Sequence, residues 1–134
     1  MISSLITRTT AALLLTGGLA LLFAPDVLLP RLVPGFPPTA LWLGQLLAAA
    51  WLGVATLNWS HRSTVLGGIY GRPVVFANAV LFLVSALGMV KALQAPSASP
   101  ALWFFAAPTI VLATVYFALL FKGPFDRVGL GTQP

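Results

Sequence analysis

Four long apolar segments restrict the fold of this chain more than any other feature. They lie at about residues 5–24, 40–59, 74–93 and 101–121. An α-helix rises about 1.5 Å per residue, so a segment of about 20 residues spans the roughly 30 Å hydrocarbon core of a bilayer. Because lipid offers no hydrogen-bond partners, each segment must satisfy its own backbone as a helix. The sequence therefore predicts an all-α membrane protein, a four-transmembrane-helix up-down bundle with short loops.

The composition agrees with a membrane environment. Hydrophobic residues make up 59% of the chain and charged residues only 7%, whereas soluble domains have roughly 25% charged residues. The first segment could alternatively be a signal peptide, but Pro25 follows it closely and argues against cleavage, so a retained helix is predicted. The chain is predicted to form one domain, residues 1–134, with an outer interfacial loop at 25–39, a cytoplasmic loop at 60–73 and a C-terminal tail at 122–134. A short amphipathic turn is expected around Val27–Val33.

The distribution of basic residues predicts the orientation. With four spans, both termini and the middle loop share one side, which carries Arg8, Arg62, Arg72, Lys122 and Arg127, while the other side carries Arg31 and Lys91. Positively charged loops remain in the cytoplasm, so the N- and C-termini are predicted to be cytoplasmic, in what we expect to be a bacterial inner membrane. The basic residues are scattered singly, which argues against a nucleic-acid partner.

Small residues spaced four apart predict where helices approach one another. In lipid, helices associate through close packing of small side chains rather than through exclusion of water. Such faces could join helices within the bundle or join it to another subunit. The pairs are Gly44 and Ala48, Ala49 and Gly53, Gly88 and Ala92, and Thr114 and Ala118.

The central parts of the apolar segments contain no Asp, Glu, Lys or Arg. Charges inside a membrane mark proton relays and ion pathways, so this machinery is missing from the sequence. The chain has no Cys and a single His, which argues against thiol chemistry and against a protein-ligated metal or haem. We therefore predict no catalytic residue, no metal site and no cofactor, and expect a protein that is not an enzyme.

The most unusual stretch runs from Asn58 to Asn78 and reads NWSHRSTVLGGIYGRPVVFAN. Antiparallel helices bring these two amides to a similar depth, and Gly67, Gly68 and Gly71 allow turns with positive φ. The stretch predicts a cationic site for an anionic lipid headgroup or a partner's carboxylate. The alternative is an ordinary cytoplasmic loop beside two amides that bond across helices. The candidate ligand-binding residues are Asn58, His61, Arg62, Tyr70, Arg72 and Asn78.

In size and four-helix layout the chain resembles small bacterial membrane families, including the DoxX-like proteins. This resemblance concerns the architecture and implies no site residue. We expect a non-catalytic membrane protein, either an accessory subunit of a membrane complex or a binder of lipid or another apolar ligand. The expected partners are membrane lipids together with other membrane subunits or further copies of the chain.

Two alternative functions stay open from the sequence. The first is a small transporter or channel acting as an oligomer, in which Thr56, Ser85 and Thr109 would line an uncharged path. The second is a membrane enzyme that uses His61 and the arginines on a phosphorylated, lipid-like substrate.

Overall fold

The computed structural model describes residues 2–123, and these form an all-α bundle of four long helices and one short helix. The long helices are long and apolar enough to cross a membrane, so the predicted four-helix membrane bundle is confirmed. Most of the predicted tail, residues 122–134, lies outside the described residues. The helices are α1 (Ile2–Phe23), α2 (Pro25–Leu32), α3 (Leu41–Ser60), α4 (Arg72–Leu93) and α5 (Leu102–Lys122), with a 3-10 turn at Pro38–Ala40 before α3.

The long helices form two antiparallel pairs. Helix α1 packs along α3, and α4 packs along α5, whereas α3 and α4 approach each other at few positions. In the first pair, a Cβ built on Gly18 would lie 3.0 Å from the Leu52 side chain, so the two helices are already in close contact there. We call the end where α1 and α4 begin the proximal end, and the opposite end the distal end.

The interhelical core is concentrated towards the proximal end. There the loop between α3 and α4 folds back on the bundle and places Leu66 in the core with no exposed surface. Its backbone N–H donates to the Ser3 hydroxyl at 3.2 Å, which ties the loop to the start of α1. The main apolar cluster comprises Leu14, Ala55, Leu66, Val74, Val75, Ala79, Phe82, Ala86, Ala113, Tyr116 and Leu119.

The turn expected around Val27–Val33 is a two-turn helix, α2, which closes the distal end of the first pair. Its apolar face lies towards α3, while Asp26 and Arg31 are exposed. A Cβ built on Gly44 would come within 2.7 Å of the Leu29 side chain. Gly44 therefore lets α2 approach the start of α3 closely.

The small-residue faces were predicted only in part. Gly44 and Ala48 are buried as expected, but Gly53 is exposed and a Cβ built on it would meet nothing within 4 Å. Gly88 is likewise exposed with open space around its Cα. These two glycines therefore make no helix contact within the described bundle, and the alternative that their faces contact another subunit stays a prediction. Spacing four residues apart defines a helix face, but the packing of larger side chains decides which face turns inward.

The glycines of the α3–α4 loop also differ from expectation. Of Gly67, Gly68 and Gly71, only Gly67 has a positive φ, at 86°. Gly71 is required for another reason, because a Cβ there would collide with the backbone carbonyl oxygen of Val65. The loop is thus compact because its backbone folds against itself.

Candidate functional site

A network of buried polar side chains joins all four long helices near the proximal end. It comprises Thr10 on α1, Asn58 on α3, Asn78 on α4 and Tyr116 on α5, and none of the four has exposed surface. The Asn58 amide N–H donates to Asn78 Oδ1 at 2.9 Å, and the Asn78 amide N–H donates to Asn58 Oδ1 at 3.1 Å. Tyr116 Oη lies 2.9 Å from Thr10 Oγ1 and 3.2 Å from Asn58 Oδ1. We call this group the polar network.

Every donor of the polar network has an acceptor. The second amide proton of Asn58 goes to the carbonyl oxygen of Val54 at 2.9 Å, and that of Asn78 goes to the carbonyl oxygen of Val74 at 2.8 Å. A phenol has one proton but also accepts, so Tyr116 can donate to Asn58 while the Thr10 hydroxyl donates to Tyr116. Among residues 2–123, no buried side-chain nitrogen or oxygen lacks a partner. Such complete pairing favours a structural role.

Aromatic packing fixes the Tyr116 ring beside the polar network. Its ring stacks on Phe82 of α4 with centroids 5.8 Å apart and planes 14° apart. The ring therefore belongs to the apolar core of the second pair, while its hydroxyl reaches across to α1 and α3. One side chain thus connects the two helix pairs.

The structure divides the predicted site residues into separate groups. Asn58 and Asn78 meet, as their expected similar depth implied, but they are fully buried and bonded to each other. Arg62 lies over the Trp59 ring at 4.8 Å and donates to the Trp59 carbonyl oxygen at 2.8 Å. Tyr70 is 84% exposed.

His61 and Arg72 complete the set of predicted residues. His61 Nδ1 lies 3.0 Å from the carbonyl oxygen of Leu57, an acceptor, so this nitrogen carries the proton. Arg72 is exposed at the start of α4. The two amides are therefore not available to a ligand that contacts Arg62 or Arg72. Among the described residues, no group of His, Cys, Asp or Glu could hold a metal ion.

An apolar cavity of about 350 Å³ separates the two helix pairs distal to the polar network. We call it the distal cavity. No charged side chain lines it, and its polar lining residues are Thr16, Ser85 and Thr109. The remaining lining residues are Leu13, Leu14, Gly17, Ala20, Trp51, Leu81, Phe82, Met89, Phe104, Phe105, Pro108 and Leu112.

A second cavity, of about 510 Å³, lies at the proximal end between the start of α4 and the end of α5. We call it the proximal cavity. Arg72 and Lys122 line it together with apolar side chains and backbone of the neighbouring loop. Two basic side chains therefore lie at this cavity, and the sequence prediction contributed only Arg72 to it.

The residues considered for a transport path do not share one cavity. Ser85 and Thr109 line the distal cavity, whereas Thr56 lines a groove between α1 and α3. The Thr56 hydroxyl donates to the Leu52 carbonyl oxygen of its own helix at 2.9 Å. In this arrangement the three hydroxyls form no continuous path.

In comparisons with protein-family models, with curated proteins and with solved structures, no match to this chain was found.

Sequence reasoning missed Thr10, Tyr116 and Lys122. A threonine and a tyrosine inside apolar helices are common, so neither stands out until the helices are packed. Lys122 was counted only as a topological charge. A weak signal existed for Tyr116, because a buried tyrosine hydroxyl usually needs a hydrogen-bond partner.

Proposed function

We propose that this non-catalytic membrane protein binds the hydrocarbon chain of a lipid, or a similarly apolar molecule, in the distal cavity. The observation that carries this proposal is the cavity itself, which provides about 350 Å³ of apolar-lined space between the two helix pairs. Its volume falls within the roughly 300–1,000 Å³ typical of small-molecule sites. The space is large enough to admit part of an acyl or isoprenoid chain.

The lining favours an apolar occupant over a polar one. Apolar side chains form most of the lining, which leaves Thr16, Ser85 and Thr109 as its hydroxyl groups. The Thr109 hydroxyl donates to the Phe105 carbonyl oxygen at 2.7 Å. Since that proton is already used, Thr109 offers little to a ligand. A polar group without partners in such a space costs several kcal/mol by rough estimate. A hydrocarbon chain has no such cost.

The cavity is accessible from the side of the bundle. Phe104 on its rim is 79% exposed and Leu13 is 47% exposed, and both would face lipid in a membrane. A chain already dissolved in the bilayer could therefore enter laterally without crossing a polar layer. Pro108 also lines this space, and its missing N–H removes one backbone hydrogen bond from α5 and favours a local bend.

A cavity-filling substitution tests the proposal. We expect Ser85→Phe to reduce photo-crosslinking of an alkyl-diazirine fatty acid, because the ring would occupy the distal cavity. Val84→Phe is the matched control, since the neighbouring Val84 is 64% exposed and does not line the cavity. The protein would be irradiated in phospholipid vesicles, and the crosslinked peptides identified by mass spectrometry.

The position of the crosslinks decides the outcome. Crosslinks at cavity-lining residues that fall at least about fivefold in Ser85→Phe, but not in Val84→Phe, support the proposal. Crosslinks spread evenly over the lipid-facing surface, with equal yields in both variants, would contradict it. Circular dichroism and a melting curve of each variant verify that the bundle is folded.

We also propose that the proximal end faces the cytoplasm of a bacterial inner membrane. The excess of basic residues near that end supports this orientation. A fluorescent reporter fused after Pro134 should then be active in the cytoplasm, whereas alkaline phosphatase fused at the same position should be inactive. The reverse pattern would invert the topology. Association with other membrane subunits or with further copies of the chain stays a prediction.

A further inference from the structure

The proximal cavity brings together two basic side chains that are far apart in sequence. Arg72 begins α4 and Lys122 ends α5, and the antiparallel pairing of these helices puts both on the same cavity. Both side chains are exposed, and neither makes a hydrogen bond or an ion pair within residues 2–123. Within the described part of the chain, their charges therefore have no partner.

Arg62, another basic residue near this end, is arranged differently. The Arg62 guanidinium is already occupied by the Trp59 carbonyl oxygen and ring. Within the described residues the only acid is Asp26, which lies on α2 at the distal end and cannot neutralise the proximal cavity. Among residues 2–123 no acid therefore lies beside the two cations of this cavity, and an anion between them would reduce their mutual repulsion.

Below the two cations, the walls of the proximal cavity are apolar. Val75, Phe76, Leu119 and Phe121 line it, and Phe76 is 60% and Phe121 is 71% exposed. In a membrane these rings would lie against acyl chains, while the basic groups extend to the headgroup level. The cavity therefore combines a cationic rim with hydrocarbon-compatible walls, which matches the two parts of a phospholipid.

We propose that Arg72 and Lys122 bind the phosphate group of an anionic phospholipid in the proximal cavity. A guanidinium can donate two parallel hydrogen bonds to phosphate oxygens, and an ammonium adds a point charge. Free phosphate presents the same oxygens, but it would leave the apolar walls without a ligand. This site is at the opposite end of the bundle from the distal cavity and is independent of the function proposed for it.

Lipid titration followed by native mass spectrometry tests the phosphate site. The purified protein in detergent would be titrated with phosphatidylglycerol, and separately with zwitterionic phosphatidylcholine. Arg72→Gln combined with Lys122→Gln should weaken phosphatidylglycerol binding about thirtyfold, because two basic groups that contact the lipid phosphate are lost together. The charge-matched control, Arg8→Gln with Arg62→Gln, should change it less than about twofold.

Each outcome bears on the proposal. Equal losses of phosphatidylglycerol binding in the two double glutamine variants would show a general charge effect and overturn the site. Unchanged binding in Arg72→Gln with Lys122→Gln would also overturn it. Retained binding in Arg72→Lys combined with Lys122→Arg supports it, and an unchanged melting temperature of the glutamine variant would exclude misfolding as the cause of its loss. Titration with inorganic phosphate distinguishes a lipid phosphate from free phosphate as the ligand. If inorganic phosphate binds through Arg72 and Lys122 and phosphatidylglycerol is not preferred to it, the assignment to lipid would be overturned.

Discussion

Asn78→Leu is expected to lower the free energy of unfolding by about 2 kcal/mol, because it leaves the buried Asn58 amide without its partner. The two amides exchange hydrogen bonds of 2.9 and 3.1 Å and have no exposed surface. Leucine has the same branched heavy-atom skeleton as asparagine and is larger, so no cavity forms and lost pairing should dominate. The loss can be measured by steric trapping of the unfolded state in bicelles.

A double-mutant cycle distinguishes pairing from simple packing. Asn58→Leu with Asn78→Leu should cost less than the sum of the single substitutions, since removing both partners leaves no orphaned amide. Gln45→Leu serves as the control, because this amide on the same helix α3 is exposed and its loss should change stability by less than about 0.5 kcal/mol. Additive single effects would mean that the amide pair is not coupled.

Gly71→Ala is expected to destabilise the bundle by about 1–3 kcal/mol, although it adds only one methyl group. The new Cβ would collide with the carbonyl oxygen of Val65 and lie 3.1 Å from the Leu66 Cα. Both are backbone atoms, so the loop must move as a whole and withdraw Leu66 from the core. Thermal unfolding in detergent, together with proteolysis of the α3–α4 loop, would report this displacement.

Gly53→Ala is the matched control for the Gly71→Ala substitution. A Cβ at Gly53 meets nothing within 4 Å, and alanine is favoured over glycine in a helix interior by about 1 kcal/mol in water-soluble hosts. Gly53→Ala should therefore leave stability unchanged or raise it. Destabilisation of Gly53→Ala by as much as Gly71→Ala would place Gly53 in a helix contact that the bundle described here does not contain.

The polar network and the distal cavity occupy different parts of the bundle along its length. Within residues 2–123, the side-chain hydrogen bonds that join long helices lie in the proximal part, where Asn58, Asn78, Tyr116 and Thr10 meet. The two helix pairs are held together there and separated by the cavity farther along. We expect ligand-dependent changes in helix spacing at the distal end, with the proximal end acting as the fixed point.

The sequence predicted the position of the two amides better than their role. Asn58 and Asn78 were expected at similar depth because antiparallel helices joined by a short loop align their ends. Their availability to a ligand could not be predicted, because it depends on the rotation of each helix about its axis. That rotation turns both amides inward, whereas the exposed Tyr70 and the stacked Arg62 lie apart from them.

The sequence by itself determined the number of spans and their helical state. Apolar segments of membrane-spanning length leave the backbone no other way to satisfy its hydrogen bonds in lipid. The tertiary structure alone decided which polar and basic residues meet. Tyr116 bonds Thr10 across more than 100 positions of sequence, and Lys122 joins Arg72 at one cavity. Such meetings depend on side-chain packing between helices, which the hydropathy of each separate segment does not encode.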